Sequence, residues 1–191
     1  PKPINKMKKG FLAVLAITTA LFVTSCGKKG GLSEETKAAM TTFETNWKAT
    51  EANMTAMGTT MNTAFAEMTT MMKMDDGMDM SKMKPAQKAS MDSMTTMCTM
   101  IEGQMEKMKG EYSAAMASWS ADAQAYADWK KKASEEKMDD AAFSSELTNN
   151  WTAKLATYNE QLVGMNEQLT GIQAACKATC DAMAAMMMPA K

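Results

Sequence analysis

From Ser33 onward, apolar positions recur on a seven-residue repeat. The first stretch places Met40, Trp47, Met54, Met61 and Met68 in one set. Phe43, Thr50, Met57, Ala64 and Met71 form the other. The second stretch carries Met91, Cys98, Met105, Tyr112, Trp119 and Tyr126 beside Met94, Ile101, Met108, Ala115 and Trp129, with Asp122 as a flaw in the stripe. The third runs through Leu155, Leu162, Leu169, Cys176 and Met183 beside Trp151, Tyr158, Met165, Ile172, Thr179 and Met186. Apolar residues every 3.5 positions are the signature of helices wound into a left-handed coiled coil.

Local signals bound three helices, at about 33–73, 85–136 and 140–188. Ser33 is a good N-cap, with Glu34 and Glu35 in the first turn. The segment from Lys73 to Met80 breaks the repeat around Gly77, and Pro85 stands where a first-turn proline belongs. Ser134 to Asp140 form the second turn, and Pro189 ends the third repeat. Gly103 and Gly110 weaken the second helix, by roughly 1 kcal/mol each relative to Ala. Long helices with short connections predict an all-α fold, an elongated antiparallel three-helix bundle following an N-terminal signal segment. Helices of about 40–50 residues give a rod of roughly 60–75 Å. A helical hairpin that dimerises would show the same periodicity.

The segment before the repeat has a different character. Residues 1–6 read as an upstream extension of a natural start at Met7. Lys8 and Lys9 form a basic head, and an apolar run from Phe11 to Val23 follows. This is the order of a secretory signal, and the run is short of the ~20 apolar residues a spanning helix needs. It ends in Val23-Thr24-Ser25-Cys26, which resembles the lipobox of bacterial lipoproteins; Val23 replaces the usual Leu. The resemblance covers residues 7–26. It implies cleavage before Cys26, lipidation of Cys26 with palmitate-type chains, and a protein anchored to a membrane without spanning it. Gly27 follows the Cys, where enteric-type bacteria place Asp to retain a lipoprotein in the inner membrane. The resemblance therefore implies sorting to the outer membrane, with the mature part periplasmic or surface-exposed. The organisation expected is thus 1–25 signal segment, 26–32 lipidated Cys and flexible tether, 33–189 helical bundle.

Charge and composition narrow the chemistry. All 21 basic residues are Lys, and the chain has no His and no Arg. Catalysis by His, His-ligated metals and Arg-fork recognition of phosphate are excluded. Loss of residues 1–25 removes four Lys and leaves 17 Lys against 22 acids. That balance argues against nucleic acid as a partner. No Gly-rich phosphate loop and no activated nucleophile is present, so no catalytic residues are assigned and the protein is read as a non-enzyme. Asp75, Asp76 and Asp79 beside Gly77 lack the spacing of a Ca²⁺ loop and read as a solvated turn.

Methionine is the outlier, with 25 residues, of which only Met7 precedes Cys26. After Cys26 there are five Leu, two Ile and one Val, so Met takes the place of Leu in the core. Others lie off the stripe: Met72, Met74, Met78, Met80 and Met83 near the first turn, Met97 and Met100 beside the second stripe, Met187 and Met188 at the end. Thioethers at such spacings also suit Cu(I), and exposed ones buffer oxidants.

The cysteines add a geometric expectation. Cys98 lies 39 residues before Lys137 and Cys176 lies 39 after it, so folding back at the second turn brings them face to face. In an oxidising compartment this predicts a Cys98–Cys176 disulfide, with Cys98–Cys180 as the alternative. Were the thiols reduced, Met57, Met61, Met94, Met97, Cys98, Cys176, Cys180 and Met183 would make a sulfur-rich Cu(I) site. Trp47, Trp119, Trp129 and Trp151 fit core positions and call for no ligand cage. The function expected is a membrane-anchored envelope lipoprotein with a structural or protein-interaction role, its partner an envelope protein or a second copy. A soft-metal or oxidant-buffering protein on the same bundle is the alternative.

Overall fold

The computed structural model describes residues 31–73 and 83–187. The signal segment and Cys26 lie outside the described residues, as do residues 74–82, with Met74, Met78, Met80 and the aspartate turn, and residues 188–191. The described part belongs to a unit that begins at Gly31. It is a helical bundle, and no strand occurs among the described residues.

Helix α1 runs Glu34–Met72. The predicted cap is made: Ser33 has an extended backbone, and its Oγ accepts from the Thr36 amide at 3.1 Å, satisfying one of the donors a helix start leaves orphaned. Helix α2 runs Pro85–Glu135, with the proline in its first turn. The Gln87 side chain reaches back to accept from the Lys84 amide at 3.0 Å. Beyond Glu136 the chain turns through Lys137 at φ 50°, the left-handed region that costs an L-residue about 1–2 kcal/mol. Asp139 then caps α3, Asp140–Glu146, by accepting from the Ala142 amide at 2.9 Å.

The third predicted helix departs from expectation in one place. Between α3 and α4 (Ala153–Met187) lies a π-helical turn, Leu147–Thr152. Its cause is readable in the apolar spacing. Phe143, Leu147, Trp151 and Leu155 are all buried, each four residues after the last. An α-helix of 3.6 residues per turn drifts off the core face under such steps, and a π turn absorbs the surplus residue. Thr152 Oγ1 donates to the Leu147 carbonyl at 2.9 Å, five residues back, inside that turn.

The heptad stripes are the core. Helix α4 packs on both α1 and α2, while α1 and α2 meet more sparsely. Met54, Met61, Met68, Met91, Met105 and Met108 are buried where Leu would ordinarily stand. The seam also holds Leu155, Leu162, Leu169 and Cys176. Met40, Met71, Met94, Cys98, Tyr112, Trp129 and Met186 are half-buried at the edges. Burial adds Phe65, Phe143, Leu147 and Ala133, which the repeat did not include.

Candidate functional site

Two arrangements carry chemistry. The first is the sulfur level near the end of the bundle. Cys176 lies in the seam at 0% exposure, and its thiol donates to the Met68 carbonyl of α1 at 4.0 Å. Burial, followed by the neighbouring thiols of Cys180 and Cys98, pushes the Cys176 thiol up to about 12. The three cysteines thus gather as the folding-back arithmetic anticipates. The predicted disulfides are corrected: neither Cys98–Cys176 nor the alternative Cys98–Cys180 is formed. For Cys98–Cys176 the reason is that the Cys176 thiol is turned to the α1 main chain at Met68.

The same contact resets the methionine level. Met68 is the α1 residue at Cys176, so Met57 and Met61 lie about 16 and 10 Å away along the axis at 1.5 Å per residue. The α1–α2 pairs Met54–Tyr112 and Glu44–Tyr126 centre near Lys84, beyond Gly77. Met183 is buried, Met94 half-buried, and Met97 is 45% exposed. Among the described residues, no three thiol or carboxylate groups are arranged to hold a metal ion.

The second arrangement is a pair of matching polar triads that stitch the helices together. Asp122, the flaw in the apolar stripe, accepts from Lys154 Nζ at 2.5 Å and from the Tyr158 hydroxyl at 2.7 Å. Glu44 Oε1 accepts from Lys130 Nζ at 2.5 Å and from the Tyr126 hydroxyl at 3.3 Å. Each lysine also lies over a ring, Lys130 at 5.2 Å from Tyr126 and Lys154 at 5.0 Å from Trp151. The Lys130 hydrogen bond holds Glu44 below the usual carboxylate range against the opposing effect of burial. At Asp122 burial pushes upward, but the bonds from Lys154 and Tyr158 together outweigh it. Burial, reinforced by the bonded carboxylate, raises both phenols. An open groove of about 150 Å³, lined by Ser118, Asp122, Lys154, Thr157, Tyr158 and Gln161, opens onto the Asp122 triad.

Between the triads lies an aromatic core. Trp47 stacks on Trp119 with centroids 4.2 Å apart, and Trp119 meets Tyr158 edge-on at 5.0 Å. Tyr126 lies 5.0 Å from Phe43, 5.6 Å from Trp47, 5.7 Å from Trp129 and 5.2 Å from Trp151. The indole N–H groups of Trp119, Trp129 and Trp151 are buried without a hydrogen-bond acceptor. Sequence reasoning missed the triads, because a lone Asp on an apolar stripe reads as a defect. The available signal was the presence of Lys154 and Tyr158 four residues apart on the third helix, one face able to receive it.

No helix among the described residues is long and apolar enough to cross a membrane. No family model, curated protein or solved structure matches the chain.

Proposed function

We propose that this chain is a lipid-anchored envelope protein. Cys26 carries the acyl chains, residues 27–32 are the tether, and residues 33–189 form an antiparallel three-helix body that serves as spacer, scaffold or docking partner. The up-down-up path is supported by the register of the polar pairs. Going along α1 from Glu44 to Met54, the α2 partner moves back from Tyr126 to Tyr112. Going from Ser33 through Thr50 to Met68, the partner moves forward from Asp140 through Asn159 to Cys176. The observation that carries the reading is the lipobox-like Val23-Thr24-Ser25-Cys26 placed seven residues ahead of the Ser33 cap that starts the bundle. An anchor, a short Gly/Lys spacer and a packed helical body in that order suit a tethered structural element. The partner is an envelope protein or a second copy of the chain.

The test is metabolic labelling with radioactive palmitate in a bacterium that processes lipoproteins. The wild-type chain is expected to take the label and fractionate with membranes, and Cys26→Ala is expected to lose both. Equal labelling of the two proteins, or none of either, would overturn the reading. A second reading, Cu(I) binding or oxidant buffering, draws on the gathered thiols and on Met97 and Met100, exposed at 45% and 62%. Cu(I) titration read by mass spectrometry separates the two, because stoichiometric uptake favours only the second.

A further inference from the structure

We propose that the aromatic core is a relay that accepts a one-electron oxidation from a one-electron oxidant at the bundle surface and delivers it to the phenols of Tyr126 and Tyr158. The relay follows from three independent features of the described residues and does not depend on the anchor.

The first feature is continuity. Trp47, Trp119, Tyr126, Trp129, Trp151 and Tyr158 form an unbroken set of ring contacts with centroids 4.2–5.8 Å apart. Indole and phenol are the most readily oxidised rings among the amino acids. Trp129 is half-buried and brings the set toward solvent.

The second feature is the orphaned indole N–H of Trp119, Trp129 and Trp151. The oxidant takes one electron from an indole and is itself reduced by one. On any of these three the resulting radical cation has no acceptor for its N–H proton, so it stays charged and strongly oxidising. It regains neutrality by drawing an electron from a neighbouring ring.

The third feature decides where the hole stops. At Tyr126 the electron passes to the indole while the phenol proton moves along its existing hydrogen bond to Glu44 Oε1. At Tyr158 it moves to Asp122 Oδ2. The products are a neutral tyrosyl radical, a protonated carboxyl, a restored indole and the reduced oxidant, so charge and electrons balance. The Glu44 side chain is 34% exposed and that of Asp122 22%, so the proton reaches water from either. Tyr112 is the internal control: its hydroxyl donates to the Met54 carbonyl, which is no proton acceptor of comparable strength.

The experiment uses the full chain, with photo-oxidised tris(bipyridine)ruthenium and persulfate as the one-electron oxidant. The radical is read by freeze-quench electron paramagnetic resonance. Wild type and Tyr112→Phe are expected to show the same neutral tyrosyl signal. The double variant Tyr126→Phe/Tyr158→Phe is expected to lose it and retain a tryptophan radical. Glu44→Gln/Asp122→Asn keeps every ring but removes both bases, and is expected to slow tyrosyl formation by roughly 10²-fold. A tyrosyl signal that survives the double Phe variant, or a rate indifferent to the Gln/Asn exchange, would overturn the proposal. In the wild-type chain alone, formation is expected to slow in deuterium oxide. No isotope effect there would overturn it as well, even if a variant failed to fold.

Discussion

Gly58 of α1 faces Tyr112 of α2 at close approach. A Cβ placed on it would stand 2.3 Å from the Tyr112 hydroxyl oxygen, which donates to the Met54 carbonyl one turn away. On propensity alone Gly58→Ala would stabilise a helix interior by about 1 kcal/mol. The close approach reverses the sign, and overpacking should destabilise the protein by about 1–3 kcal/mol. Urea unfolding measures this, and Tyr112→Leu is expected to recover most of the loss in the Ala background. The thiols give a second residue-scale expectation. A thiol raised from 9.0 to about 12 carries about a thousand-fold less thiolate. Iodoacetamide on the folded protein should therefore modify Cys176 last, after the half-buried Cys98 and Cys180. Peptide mapping checks it, and rapid alkylation of Cys176 would contradict the packing. The tight contact at Gly58 was not legible in the sequence, where a helix glycine reads only as a weakness. A glycine's use depends on which side chain arrives opposite it, and that is a property of the register between helices.

At the scale of elements, α1 and α2 were legible to within a residue or two, because each boundary has a chemical cause: the Ser33 cap, Pro85, and the turn at Lys137. The heptad stripes located the core for the same reason, since burial of one face is what a repeat of 3.5 residues encodes. The π turn was not legible, although its cause was in view. The third heptad stripe begins at Trp151, and the four-residue spacing of Phe143 and Leu147 lies upstream of it. Deleting exposed Asn149 tests the explanation. Removal of the surplus residue turns the buried steps of four into four, three and four, so it should restore continuous α-helix and keep Phe143 and Leu147 on the core. Stability is expected to stay within about 1 kcal/mol of wild type, with α4 intact. Denaturation with Trp fluorescence reads it through the Trp129–Phe143 contact, 4.6 Å between centroids. A loss like truncation of a buried Phe, about 3–5 kcal/mol, would show that this residue is not surplus.

For the whole molecule, the polar pairs specify which helix faces which, while a Met-rich core supplies adaptable packing. Glu44 joins α1 to α2, Asp122 joins α2 to α4, and Asp140 accepts from the Ser33 amide at 2.8 Å, joining α3 to the start of α1. All three carboxyls are held below their ordinary range, Asp140 chiefly by the Ser33 amide. Their contribution is therefore complete above the ordinary carboxylate pKa of about 4 and is lost as pH falls through the lower folded values. The urea midpoint should fall from neutral pH toward about pH 3, and Glu44→Gln/Asp122→Asn should flatten that fall. A midpoint that rises on acidification would contradict the role of the triads. Under the proposed function a helical body is held to a membrane at one residue, Cys26. Intact mass of the protein extracted from bacterial membranes tests that most directly. A chain that begins at Cys26 and carries the added mass of acyl chains is the predicted result; a chain still beginning at Met7, recovered in the aqueous fraction with no added mass, would contradict it.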